Sequence, residues 1–358
     1  ALVIAVSATV GVTLMIDSFR STVAVWLEST LQADVYVSQA DAGAQSELAA
    51  DVVARVSRLA GVEAISVSRW TKVMIGGQPA DLHAIQLAPA GRRGFVLQAG
   101  ERTAVWRAFD NAQAVLVSEP LAYRHELRVG DDVRLLTSRG ERPFKVAGVF
   151  YHYSSQQGVV MMRRALYERF WNDHGVSSLG VYVGEQASQQ RMLERLRTAA
   201  RGEGHVLVRS NRELREQSLA VFDRTFEITR VLRWLVILVA AVGILSALMA
   251  LQLERGREFA VLRAIGFTPG QVARLVIGES ALLGAATGLL AVPLGITMSL
   301  VLIEVINQRS FGWSMQAMIT PEALIQALGL SCCAALLAGL YPAWRVARLV
   351  PAEALRVE

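Results

Sequence analysis

The chain has 358 residues, enough for two domains, with 53% apolar residues, 19% charged residues and a net charge of +5. Its positive mean hydropathy points to a membrane, yet so much charge excludes a wholly embedded protein, so the composition is a mosaic of apolar segments and one long polar region. Arginine-rich span edges account for the mild positive balance, and no basic run with interleaved aromatics supports nucleic-acid binding.

The opening run Ala1–Ile16 is apolar over 16 residues and flows into Asp17–Leu31, which keeps a helical pattern with Phe19, Val23, Trp26 and Thr30 on one face. It lacks the basic flank and small-residue cleavage site of a signal peptide. It reads as a transmembrane helix whose start is missing, continued by a stalk, so the first region is 1–33.

An α/β region follows over 34–210. Strands are expected at Asp34–Ser38, Val62–Ser68, Lys72–Ile75 and Asp81–Leu87, with a helix at Gln45–Leu59 and a turn at Gly76-Gly77. A second group falls at Ala114–Val117, Asp132–Thr137, Pro143–Phe150 and Gly158–Met162, which predicts an inserted β-rich subdomain over about 90–177. Ser178–Val183, Gln186–Ala200 and His205–Arg209 then read as strand, helix, strand.

No catalytic constellation appears. His83, His125, His152, His174 and His205 are scattered, with no close ligand pair and so no expected metal site. Asp131-Asp132 follows Gly130 and reads as a solvated turn, and the polar, aromatic stretch Tyr151–Gln157 reads either as a loop or as a binding surface. There is no phosphate-binding Gly-x-x-x-x-Gly-Lys-Ser/Thr loop, so nucleotide energy must come from a partner.

The last region, 211–358, begins with a second stalk marked by Leu219, Phe222 and Phe226. Three spans follow: Trp234–Leu253, Ser280–Ile303 and Ala323–Trp344, uncharged over 20, 24 and 22 residues and so long enough to cross about 30 Å of hydrocarbon. Arg255, Arg257, Arg263 and Arg274, and the tail arginines Arg345, Arg348 and Arg356, place those segments in the cytoplasm. The long polar region and the segment Asn307–Thr320 then lie outside. Within the third span, Gly284 and Gly288 form a small-xxx-small pattern suited to close helix packing, and Pro293 is expected to kink it. Cys332 and Cys333 are neighbours inside an apolar run and read as packing residues.

Between the second and third spans, Phe259, Leu262 and Ile265 share one helical face, Gly266 can end that helix, and Thr268-Pro269 can cap the next. This short helix, with small Ala260 and Ala264, suits a protein socket. Arg257-Glu-Phe-Ala-Val-Leu-Arg-Ala-Ile-Gly-Phe-Thr-Pro269, with Gln271-Val272, Glu279 and the tail Tyr341–Arg356, resembles the FtsX-like ABC-transporter permease family. Val117–Ala122, Leu127–Asp131 and Phe144–Val149 resemble its MacB-type periplasmic core domain.

The resemblance implies an α-helical membrane protein with four transmembrane helices and an α/β (α+β) extracytoplasmic domain between the first and second. It implies residence in the bacterial inner membrane, with the large domain periplasmic. It implies a cytoplasmic ABC ATPase dimer that holds ATP and Mg, with no cofactor in this chain, and a second permease half, either fused upstream or a second copy. Asp17-Ser-Phe-Arg20 with Trp26-Leu27 looks like the C-terminal half of a longer two-module permease. Glu258, Ala260, Arg263, Ala264, Ile265 and Gly266 would contact the ATPase. Two functions fit: transport that extrudes or extracts a hydrophobic molecule, lipid or lipoprotein, or a lever that activates a periplasmic partner such as a cell-wall hydrolase.

Overall fold

A computed structural model of the chain describes residues 2–40, 47–184, 189–201 and 206–347. Expected features at 41–46, at His205 and in the tail from 348 lie outside the described residues. The chain divides into two units: a sheet unit, Thr22–Val221 with Asn307–Ser314, and a helical unit made of the chain up to Ser21, Phe222–Ile306 and the chain from Met315.

In chain order the elements are α1 (Leu2–Thr30), β1 (Val35–Gln39), α2 (Ala50–Ser57), β2 (Val62–Ile75), β3 (Gln78–Gln86), β4 (Leu97–Ala99) and α3 (Arg102–Asn111). Next come β5 (Ala114–Ser118), α4 (Glu119–Arg124), β6 (Asp132–Thr137), β7 (Gly140–Phe150), β8 (Val159–Arg163), α5 (Arg164–Trp171), β9 (Ser178–Val183), α6 (Gln189–Ala199) and β10 (Val206–Ser210). The helices α7 (Asn211–Thr225), α8 (Glu227–Glu254), α9 (Gly256–Ala264), α10 (Pro269–Leu300), α11 (Gln308–Phe311) and α12 (Pro321–Ala347) complete the chain, with a π-helical stretch, Val301–Asn307, between α10 and α11.

Among the described residues, ten strands form one sheet in the order β10-β1-β9-β2-β3-β8-β5-β7-β4, with β6 on β7. The segment 90–177 supplies β4 to β8, joined to the rest by the parallel β3–β8 ladder. It also carries α3, α4 and α5, which the strand periodicity did not reveal. β5 is buried at every position and therefore reads as a continuous apolar run: Val115 and Val117 enter one core with Leu82, Phe144 and Tyr167, while Leu116 faces another with Trp106 and Met161. α2 and α6 close a third core over β1 and β9, through Val52, Val56, Met192 and Leu196.

Two expected strands, Val62–Ser68 and Lys72–Ile75, are one 14-residue strand. The apparent break at Arg69 is a buried guanidinium, paired with Asp173 at 2.8 Å and Glu47 at 2.6 Å, so its charge does not interrupt the strand. Gly76 and Gly77 both take positive φ, +55° and +80°, as a two-residue hairpin turn requires.

In the helical unit, α10 lines its packing face with small residues: Ser280, Gly284, Gly288, Ala291, Gly295 and Ser299 are all buried. A Cβ on Gly284 would lie 2.7 Å from Ala335 Cβ, and one on Gly288 would meet Leu328 and Ser331, so both glycines sit against α12. Farther along, a Cβ on Gly295 would lie 2.6 Å from Val10 Cβ, so α1 packs there. This is close backbone approach through small side chains, the packing that lipid-facing helices use.

Three helices among the described residues are long and apolar enough to cross a membrane, Val3–Thr30, Pro269–Phe311 and Leu324–Tyr341, not the four expected. The remaining expected segment, 234–253, lies in the 28-residue α8, which includes residues whose side chains fall outside the described set. The stalk at the second chain crossing is not continuous either. α7 and α8 part at Phe226, whose N–H reaches the Phe222 carbonyl at a long 3.4 Å.

Candidate coupling helix and amphiphilic groove

α9 forms where the sequence placed a short helix. Phe259 is its anchor, buried with Val272 and Val276 of α10 and Ala343 of α12. Leu262 packs beside it, but Ile265 leaves that face and is 70% exposed, because α9 ends at Ala264 and the chain turns at Gly266 with φ +108°. The Phe267 N–H donates to the Leu262 carbonyl at 3.1 Å, closing a glycine-ended helix stop. Thr268 and Gln271 then form a reciprocal capping box, 2.8 and 3.3 Å, with Pro269 at the first helical position of α10.

The expected contact residues separate into groups. Glu258, Ala264, Ile265 and Gly266 are exposed, and space is open around Gly266. Arg263 is half-buried, and the Ala260 side chain lies outside the described residues. Val261, which the sequence reading did not single out, is 48% exposed and extends the Glu258–Ala264–Ile265 ridge at helical spacing. Arg255 holds Glu279 at 2.9 Å and lies 4.0 Å from Glu258, so the acidic end of the third expected span is neutralised by the loop that precedes it.

A second feature of the helical unit is a groove of about 670 Å³ between α1, α8 and α12. Val12, Ile16, Leu232 and Val236 make an apolar body, and Thr9, Thr13 and Thr229 add hydroxyls. At one end stand Asp17, Arg20 and Asp223, with Arg20 forked onto Asp223 at 2.7 and 3.2 Å. Phe19 sets its ring edge-on to Phe222 at 5.0 Å and fixes α1 against the end of α7. The sequence signal for this groove was Asp17 and Arg20 following directly on an apolar run, since ionisable groups at a span edge are costly and tend to be functional. Among the described residues, no group of three or more His, Cys, Asp or Glu is placed to hold a metal.

The chain matches the model of the MacB-like periplasmic core domain over residues 1–199 and that of the FtsX-like permease C-terminal domain over residues 230–351. It is 36% identical, over its whole length, to the uncharacterized ABC transporter permease protein Rv0987 of Mycobacterium tuberculosis, of which it spans 43%. It is 25% identical to the lipoprotein-releasing system transmembrane protein LolC of Haemophilus influenzae, over 68% of this chain and 64% of that one. It is 30% identical to the macrolide export ATP-binding/permease protein MacB of Bdellovibrio bacteriovorus over 34% of this chain and 18% of that one. The periplasmic region of MacB from Actinobacillus actinomycetemcomitans aligns with 53% of the chain, covering 94% of that structure, at 12% identity and a TM-score of 0.37.

The chain therefore belongs to the FtsX-like, MacB-type ABC transporter permease family. The core-domain match runs from residue 1 to residue 199, so the matched domain takes in α1 rather than beginning after it, and the permease helices follow it.

Proposed function

We propose that this chain is the permease module of an ATP-driven transporter that takes an amphiphile with long apolar chains, a lipid or lipoprotein, from the outer leaflet of the bacterial inner membrane. The observation that carries this reading is the groove: an apolar body of about 670 Å³, with the Asp17–Arg20–Asp223 cluster in its lining to suit a polar headgroup. The names of two relatives point the same way, since one belongs to a lipoprotein-releasing system and the other to macrolide export.

In this reading α8 is the fourth span and the sheet unit is periplasmic. A cytoplasmic pair of ABC ATPases binds ATP and Mg and engages the ridge of Glu258, Ala260, Arg263, Ala264, Ile265 and Gly266. A second permease half, fused upstream or a second copy, completes the assembly. The chemistry asked of this chain is positional: to hold an amphiphile and to move.

The test fills the groove. Thr229→Trp and Val12→Trp should lower retention of a photoactivatable diacyl lipopeptide by the purified full-length permease, at least tenfold, without changing ATPase co-purification. Equal labelling of the wild type and both variants would remove the groove from the function.

A further inference from the structure

The stretch Tyr151–Gln157 is a loop that packs against another segment of the sheet unit. In the sheet unit it meets Asn307–Ser314, the segment that links the end of α10's helical run to α12. The Asn307 side chain closes this segment on itself: its amide donates to the Trp313 carbonyl at 2.8 Å and accepts from the Trp313 indole at 3.1 Å. Gly312 takes φ +76°, and a Cβ there would stand 3.1 Å from Pro120 Cα, so the loop lies directly on the start of α4.

Two side chains hold one residue of this segment by its backbone. Glu119, 3% exposed, accepts the Ser314 N–H at 3.0 Å with one carboxylate oxygen and the Gln98 amide at 2.9 Å with the other. The Tyr153 hydroxyl donates to the Ser314 carbonyl at 3.1 Å, and its ring lies against Trp313 at 5.7 Å. Burial raises the Tyr153 phenol well above its ordinary range, so it remains a donor. Trp26 of α1 sets its ring edge on Tyr153 and His152, so the first stalk and the captured loop converge on the same end of β7.

A buried carboxylate is an expensive way to hold a surface loop. Packing alone would keep the loop in place; a charge-assisted bond and a second backbone bond on the same peptide fix its position. The captured loop ends a 43-residue helical run, Pro269–Phe311, whose other end is capped directly after α9.

We infer that Glu119 and Tyr153 are positioning residues that clasp Ser314 and so make α10 a third mechanical attachment of the sheet unit, beside the two stalks. The relay part of this inference rests on the proposed engagement of α9 by an ATPase; the clasp itself does not. Motion imposed on α9 travels along α10 to Ser314, and from there through Glu119 and Pro120 into β5.

The experiment is hydrogen exchange on the full-length protein in lipid nanodiscs, first without and then with its ATPase trapped with ADP and vanadate. Without ATPase, the Ser314 amide is protected. Glu119→Ala speeds its exchange about ten- to a hundredfold, whereas Glu119→Gln, which keeps an acceptor oxygen, changes it less than about threefold. Tyr153→Phe, a milder change that keeps the ring, speeds the loop about two- to tenfold. Val115 and Leu116 stay unchanged in all three, which separates loss of the clasp from unfolding. A Ser314 amide unprotected in the wild type, or indifferent to Glu119→Ala and Tyr153→Phe, overturns the clasp.

With the trapped ATPase, residues 114–124 change exchange in the wild type and in Glu119→Gln but not in Glu119→Ala, while 256–264 respond in all three. An equal response of 114–124 in Glu119→Ala overturns the relay. No response at 256–264 even in the wild type overturns the proposed coupling, and the relay with it, and leaves the clasp to stand on the first measurement.

Discussion

The sheet unit and the helical unit solve packing with opposite residues. In the sheet unit, β5 buries Val115, Leu116 and Val117 completely, and even a guanidinium, Arg69, is taken inside and paired. In the helical unit the buried face of α10 from Ser280 to Ser299 is made of glycine, serine and alanine, while Leu282, Leu289 and Leu290 point outward at 60–73% exposure. The hydrophobic effect drives large side chains inward where the surroundings are water. Where they are lipid, large apolar side chains gain nothing by burial and close approach of backbones takes over. Large apolar side chains thus fill the cores of the sheet unit, whereas the α10–α12 contact of the helical unit is built on small ones, and mutations separate the two regimes.

The largest expected effect is in the sheet unit. Leu116→Ala should destabilise it by about 2–5 kcal/mol, read as loss of global exchange protection across β5, β7 and β8. Leu289→Ala, the same chemical change in α10, should shift packing within the helical unit by less than about 0.5 kcal/mol. Comparable losses from the two substitutions would break the contrast.

Next in size is the reverse experiment. Gly284→Leu adds bulk where Ala335 and the Cys332 backbone already stand, and should cost the α10–α12 contact about 1–3 kcal/mol or more. The readout is thiol labelling of Cys332 during a detergent titration, which should rise at lower detergent than in the wild type while exchange in the sheet unit is unchanged. Wild-type labelling would show that α12 does not lie on that glycine.

Acid sharpens the comparison further, since the buried imidazoles His83 and His152 lie in the sheet unit. His152 is 7% exposed among Trp26, Trp70 and Phe150, and burial lowers its pKa from 6.5 to about 4. Its folded pKa is depressed, so the stability from burying it neutral is present above pH 6.5 and lost as pH falls toward 4. The loss should total roughly 1–3 kcal/mol. His152→Gln, which keeps a partner for Ser154, should flatten unfolding midpoints between pH 6.5 and 4.5. Neighbouring His83, also pushed down by burial, leaves a residual slope. An unaltered slope in the variant would place the acid sensitivity elsewhere.

The sequence carried much of this, for physical reasons that differ by element. The apolar stretches in α10 and α12, the glycine stop at Gly266 and the Thr268–Pro269 cap were legible because length, φ freedom and capping chemistry are local properties. Strands β6 and β9 were legible from alternation or apolar runs. α3 and α5 were not, because their apolar residues Trp106, Phe109, Leu166 and Phe170 fall in short segments whose burial depends on distant strands. The continuity of β2 through Arg69 depends on Asp173, 104 residues away. The Glu119 clasp spans 195 residues, and no local pattern announces it. On the exposed ridge of α9, Glu258, Ala264 and Ile265 were named from the family resemblance, while helical spacing had set Ile265 on the face of Phe259 and Leu262. Val261 was missed because the apolar face was drawn through Phe259 and Leu262, which anchor α9.

The most direct test of the account places a photo-crosslinking benzoylphenylalanine at Ile265, on the exposed ridge of α9, and a control at Leu289, equally exposed on the lipid-facing side of α10. The full-length permease is expressed in its membrane with its ATPase. Position 265 should crosslink to an ABC ATPase subunit, with a yield that changes on adding nucleotide, and position 289 should not. Absence of an ATPase adduct at 265, or adducts of equal yield at both positions, would contradict the account.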